Sequence, residues 1–203
     1  MMLLVTTSHP DCVAYGCCRL VQPRHTSSIE KTAHAGIPWA ADNDCFQGLD
    51  EAAFRKMLAR IAGLPGCLFV TAPDVVADHA ATLDRWGVWA PIIRAHRLPV
   101  AFVLQDGCPA GWFPPDADAV FVGGSTAYKL GEDAAASVAA AKTAGKWAHM
   151  GRVNSRRRIV HAASIGCDSV DGTKYARFKR AWLRDGILDA AAPPQIRIGW
   201  STR

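Results

Sequence analysis

Two acidic segments of this sequence carry carboxylates placed where they could serve as a nucleophile or an acid/base group. The first is Trp39-Ala40-Ala41-Asp42-Asn43-Asp44-Cys45-Phe46-Gln47-Gly48, where a near-apolar strand runs straight into an acidic turn holding an aromatic and an amide. Asp and Asn also favour turns and helix caps. Asp50 is the better cap for the helix that follows, which leaves Asp42 for other work. The second segment is Gly166-Cys167-Asp168-Ser169-Val170-Asp171-Gly172-Thr173. In an extended chain Asp168 and Asp171 fall on opposite faces, so one can support the structure while the other faces a cavity. A strand end capped by Asp171 for a helix from Lys174 is the competing reading. Breaking a bond at an anomeric carbon takes a carboxylate beside that carbon and a second acid/base group for the leaving group. Asp171 and Asp42 can supply that pair.

Other polar residues fall in similar places, at the ends of apolar runs. Val103-Leu104-Gln105-Asp106-Gly107 ends in an amide that can donate to and accept from a purine edge, or satisfy backbone in a tight loop. Phe121-Val122-Gly123-Gly124-Ser125-Thr126 has glycines that would let a ligand approach the main chain. It lacks the lysine and spacing of a phosphate-binding P-loop. Asp74 stands where the next helix wants its N-cap.

The elements that would position these groups alternate. Strands are expected at Leu3–Thr6, Pro38–Ala41, Cys67–Thr71, Val100–Leu104, Ala119–Val122, Trp147–Met150 and Cys167–Val170, with a weaker eighth at Ile196–Gly199. Helices are expected near Asp50–Ile61, Val75–Ala90, Glu132–Thr143, Ser155–Ser164 and Lys174–Arg184. In the second of these, Val76, Ala80, Leu83, Trp86 and Ala90 recur at helical steps, and Pro91 should end or kink the helix. Strand–helix alternation implies parallel pairing and an α/β fold. Seven or eight units point to a trimmed (β/α)8 TIM-like barrel, whose strand C-termini would gather the acidic groups and the amide at one mouth.

The bulk properties fit one globular domain over residues 1–203. Half the chain is apolar and a fifth is charged, ample for one core. The apolar start is too short for a signal-peptide core, and no run approaches the ~18 residues of a membrane span, so a cytoplasmic protein without a membrane partner is expected. The seven cysteines are odd in number and irregularly spaced, which suits reduced thiols. Cys12, Cys17 and Cys18 lie close together, but there is no Cys-x-x-Cys pair and no metal site is expected. The net charge of +5 concentrates late in the chain, at Arg152, Arg156, Arg157 and Arg158 and at Lys174, Arg177, Lys179, Arg180 and Arg184. Such clusters form either a solvated basic face or contacts to a polyanion.

In order along the chain, these segments resemble the tRNA-guanine transglycosylase family. Asp42-Asn43-Asp44-Cys45-Phe46-Gln47 is similar to its Asp-Ser-Gly-Gly-(Phe/Tyr)-Gln segment, and Leu104-Gln105-Asp106-Gly107 to its Val-Gln-Gly-Gly segment. Met150-Gly151-Arg152-Val153 echoes its Met-Gly-Val turn, and Gly166-Cys167-Asp168-Ser169-Val170-Asp171 its Gly-x-Asp-x-(Phe)-Asp segment. The resemblance implies that Asp171 is the nucleophile at C1′ and Asp42 the acid/base group. It implies a base pocket with Asp74, Gln105, Phe46 and the backbone near Gly123 and Gly124. Asp44 and Cys45 replace two family glycines. The family's zinc module has no counterpart after Asp171, so a zinc-free chain without cofactor is more similar to the short phage and bacterial 7-deazaguanine DNA-modification transglycosylases. That implies DNA as partner, with tRNA as the alternative, a free 7-deazaguanine such as preQ0 as co-substrate, and Arg152, Arg156, Arg157, Arg158, Lys174 and Arg177 as backbone contacts. A hydrolase or deoxyribosyltransferase acting on free nucleosides, and a non-catalytic nucleic-acid-binding barrel, are the other readings.

Overall fold

The structure is a computed structural model that describes residues 1–6 and 17–172. Eight parallel strands close into a barrel in sequence order, β1 next to β2 and so round to β8, which pairs with β1. They are β1 (Met2–Val5), β2 (Cys18–Val21), β3 (Trp39–Ala41), β4 (Cys67–Thr71), β5 (Val100–Leu104), β6 (Ala119–Val122), β7 (Trp147–Met150) and β8 (Ser169–Asp171). The helices are α1 (Ile29–His34), α2 (Glu51–Ile61), α3 (His79–Ala95), α4 (Thr126–Lys129), α5 (Glu132–Thr143) and α6 (Arg156–Ser164). This is the expected α/β barrel, shorter than the ~250 residues typical of the fold.

Alternation along each strand sorts side chains into two cores. Leu4, Leu20, Ala40, Phe69, Ala101 and Ala119 fill the barrel, and Phe121 and Trp147 pack onto them. Their neighbours in sequence, among them Val5, Val21, Phe102, Val122 and Val170, face the helices. Large residues on some strands and alanines on others let the inward layer interdigitate.

Two expectations need correction. The eighth strand is Cys18–Val21, which seats between β1 and β3. Arg19, its second residue, interrupts the apolar run used to find the others. Ile196–Gly199 and the helix at Lys174–Arg184 lie outside the described residues. The helix expected over Val75–Ala90 is α3, which starts about one turn later, at His79. Asp78, not Asp74, caps it by accepting from the Ala81 amide at 3.0 Å. Its buried face is Thr82, Trp86, Trp89, Ala90 and Ile93, while Val76 and Leu83 are exposed. Pro91 does not end the helix. It sits on the exposed side with Gly87 one turn before it, where the freed carbonyl can turn to water.

Asp50 does cap α2, accepting from the Ala53 amide at 3.0 Å, so Asp42 is free of that duty. Between β5 and β6 the chain makes only turns. The outer face of Phe102 is covered there by the rings of Trp86, Trp112 and His79, with centroids 5.4, 5.8 and 6.1 Å away. No helix among the described residues is long and apolar enough to cross a membrane.

Candidate active site

The strand C-termini open onto a cavity of about 230 Å³. Asp42, Phe46, Asp74, Gln105, Gly123, Gly124, Arg152 and Asp171 all line it. The loops after β3 to β7 and the end of β8 supply these groups, which is why residues far apart in sequence meet.

Asp171 is the last residue of β8. Its Oδ1 accepts the Arg152 amide at 3.0 Å, and its Oδ2 faces His149 Nε2 at 3.0 Å. Asp168, three residues earlier, does the structural work expected of the outward partner. It binds Lys142 Nζ at 2.7 Å with both oxygens and accepts the Ala148 amide at 2.8 Å.

Asp42 follows β3. Its Oδ2 accepts from Gln22 Nε2 at 3.2 Å, and its Oδ1 from the Asn43 amide at 2.9 Å. Burial pushes its pKa up to about 7, and the Asp171 carboxylate pushes the same way against the Gln22 hydrogen bond. The consequence for stability has a definite sign. In the unfolded chain this proton leaves near the usual 3.8, while in the fold it stays until about pH 7. The group's favourable contribution is therefore complete below about pH 4 and lost as pH rises through about 7. Asp42→Asn removes that loss, because Gln22 can turn its amide to offer Oε1. We expect the variant to melt several degrees above wild type at about pH 8 and level with it at about pH 4, by circular dichroism.

Asp74, buried at 7% exposure, forms the far wall with Asn43 and Gln105. Asn43 Nδ2 donates to Asp74 Oδ1 at 2.7 Å, and Gln105 Nε2 donates to Oδ2 at 2.5 Å. Burial raises the Asp74 pKa against these two hydrogen bonds. The Gln105 amide, expected to read a base edge, is thus engaged: its Oε1 also accepts the Ala77 amide at 2.9 Å. One Nε2 hydrogen of the amide is left for a ligand.

The glycines make room for neighbouring side chains at the cavity wall. A Cβ on Gly123 would lie 2.6 Å from Val103 Cγ1 and 2.8 Å from Gln105 Nε2. On Gly124, at φ +74°, it would lie 2.5 Å from Asp106 Oδ2. Asp106 in turn accepts from the Ser125 hydroxyl at 2.6 Å and the Ser125 amide at 2.7 Å. Burial opposes its charge, but these Ser125 bonds hold its pKa below the usual value. We expect Gly123→Ala to displace Gln105 and cost about 1–3 kcal/mol in urea unfolding. Asp44 adopts φ +56°, the left-handed backbone that glycine favours. Cys45 is buried, and burial pushes its thiol up to about 12.

At the rim the Arg152 guanidinium stacks 4.6 Å over the ring of Phe46, which is 66% exposed, and reaches the Gly124 carbonyl at 3.2 Å. Arg156 and Arg157 are exposed in the first turn of α6, while Arg158 reaches back to the Arg152 carbonyl and Thr126 Oγ1. Lys174 and Arg177 lie outside the described residues, as does Cys12. Cys17 and Cys18 are buried. Among the described residues no group of three or more His, Cys, Asp or Glu is placed to hold a metal ion.

Sequence reasoning missed four contributors. Gln22 follows the missed strand. Thr71 ends β4, lines the cavity, and has a buried hydroxyl without a hydrogen-bond partner among the described residues. Lys129, 6% exposed, reaches back from α4 to the Gly151 carbonyl at 2.8 Å, and burial, helped by Arg152, lowers its pKa to about 8. His149 is wholly buried inside the barrel. Its signal was legible: if Asp171 points inward, so does Ser169, and the β7 register sets His149 opposite Ser169. No protein-family model and no curated protein matches the chain.

Proposed function

We propose that this chain exchanges guanine in DNA for a 7-deazaguanine base of the preQ0 kind, by double displacement at C1′. The observation that carries the reading is one cavity with two carboxylates in different settings. Asp42, at about 7, can hold a proton near neutral pH. Asp171 has a main-chain donor on one oxygen and an imidazole on the other. Two carboxylates in such different environments can divide into an acid and a nucleophile.

In the first half-reaction an Asp171 oxygen bonds to C1′ as the C1′–N9 bond breaks. The electron pair leaves on guanine, and Asp42 gives its proton to the departing base. In the second half, the Asp42 carboxylate takes the N9 proton of the incoming deazaguanine. N9 then bonds to C1′, and the bond from C1′ to Asp171 breaks. Protons and electrons balance without a further reactant.

Three features support the substrate class. A cavity of about 230 Å³ suits one base and not a length of duplex, so the polymer would present its base flipped out, at a cost of a few kcal/mol. Asp74, fixed by the Asn43 and Gln105 amides, offers acceptor oxygens for a guanine edge, and the second Gln105 Nε2 hydrogen offers a donor. Arg156, Arg157 and Arg158 fill the first turn of α6, where the helix dipole disfavours cations. An arrangement that helix stability opposes suits an external polyanion. We expect Arg156→Glu with Arg157→Glu to weaken DNA binding, and to lower the slope of log K against log salt by about 1 per lost phosphate contact.

The direct test is incubation with guanine-labelled DNA and preQ0, followed by nucleoside mass spectrometry. Label release with a deazaguanosine product supports the reading. Exchange in tRNA alone reassigns the polymer, exchange on free deoxyguanosine alone makes it a nucleoside enzyme, and binding without exchange leaves a non-catalytic barrel.

A further inference from the structure

Behind Asp171 lies a chain of hydrogen bonds that the proposed reaction does not itself use. Trp147 Nε1 is 2.9 Å from Ser169 Oγ, Ser169 Oγ is 2.8 Å from His149 Nδ1, and His149 Nε2 is 3.0 Å from Asp171 Oδ2. All three supporting residues point into the barrel from β7 and β8. The His149 ring is packed by Phe121 and Phe69, with centroids 4.7 and 5.3 Å away. Wholly buried and outside the cavity lining, it meets a substrate only through Asp171.

The chain has a direction. An indole N–H only donates, so Ser169 Oγ accepts from Trp147. The one hydroxyl hydrogen of Ser169 is then free to point at His149 Nδ1, which accepts it. With the Ser169 hydroxyl turned that way the neutral ring carries its hydrogen on Nε2, where it points at Asp171 Oδ2, a carboxylate oxygen able to accept it. With the Arg152 amide on Oδ1, both oxygens are then held by donors from fixed elements.

We propose that His149 is a positioning residue for Asp171, with its tautomer set by Ser169 and Trp147. It holds the carboxylate oriented toward C1′, and it exchanges no proton with the substrate. The role rests on the transglycosylase reading given above. Orientation of a charged acceptor by one donor is worth about 10- to 100-fold in rate.

The test uses the full chain, guanine-labelled DNA and preQ0. In single-turnover experiments His149→Leu should slow formation of the covalent adduct roughly 10- to 100-fold with little change in KM. His149→Gln, whose amide can still donate to Asp171, should recover most of that loss. Adduct formation by His149→Leu at the wild-type rate overturns the proposal, as does a loss confined to KM. Nitrogen-15 NMR of the wild type needs no reaction and no variant. It should show a protonated Nε2 and an unprotonated Nδ1 that accepts a hydrogen bond; a protonated Nδ1 overturns the assigned direction. Wild-type protein that shows this tautomer yet exchanges no base sinks the transglycosylase reading, and the catalytic role with it, while leaving the hydrogen-bond chain intact.

Discussion

Asp171→Asn is expected to lower base exchange roughly 10⁴-fold or more while DNA binding is kept. The amide is nearly the same shape, lines the same cavity, and still accepts from the Arg152 amide or from His149, so the barrel should fold. What it lacks is an anionic oxygen to bond C1′. Loss of a nucleophile removes the path itself and not merely one contribution to it, which is why the expected drop exceeds that for any supporting residue. The basic residues outside the cavity are untouched, so a gel-shift experiment should give wild-type DNA affinity. If the Asp171→Asn variant exchanges guanine as fast as wild type, the reaction does not pass through a covalent aspartyl intermediate. Denaturing electrophoresis offers a second readout: labelled DNA should stay attached to wild-type protein trapped without an incoming base, and not to the variant.

The two half-reactions should respond to pH in opposite senses. Asp42 must hold a proton to assist guanine departure and must have lost it to accept the proton of the incoming base. Its pKa is pushed up to about 7 by burial and by Asp171. Adduct formation should therefore fall about tenfold per pH unit above about 7, and adduct breakdown about tenfold per unit on the acid side of a lower break, because Asp171 carries no charge in the adduct and no longer pushes Asp42 up. The overall rate would peak near neutrality. Asp42→Asn should flatten both limbs and slow both halves about 10²- to 10⁴-fold. Lys129 also titrates into this range, near 8, and faces the same cavity. Lys129→Met separates the two, because a break near 7 belongs to Asp42 only if it survives that change. Rapid-quench measurement of each half between about pH 5 and 9 checks the prediction; parallel profiles would remove Asp42 from the acid/base role.

Much of the barrel was legible because parallel strands buried on both faces read as short apolar runs, as Val100–Leu104 and Ala119–Val122 do. Cys18–Val21 escaped because Arg19 interrupts its run, and with it went Gln22, the hydrogen-bond partner of Asp42. The start of α3 was misplaced because Asp74 and Asp78 are both plausible caps, and local sequence does not say which carboxylate the fold will bury beside Asn43 and Gln105. Asp42 and Asp171 stood out as acidic groups at strand ends. Lys129 did not, since a lysine ending a short helix reads as surface until tertiary packing turns it inward. The working of Gly124 was hidden for the same reason, because its missing Cβ makes room for Asp106, a residue of the preceding strand's loop.

The crossover between β5 and β6 shows how such a short chain keeps a complete barrel. In a βα unit the helix does two separable jobs: it shields the outer side of its strand, and its approach shapes the loop at the mouth. Here Trp112 from the crossover, with Trp86 and His79 from α3, covers Phe102 and takes over the first job without a further helix. The loop Gln105-Asp106-Gly107 keeps the second, held by Ala77, Asp74 and Ser125 instead of by a helix behind it. Length could thus be lost from the periphery of this sector without disturbing the rim. The natural place for homologous chains to differ in size is this outer arc, where an added helix would displace Trp112 and leave the carboxylates where they are.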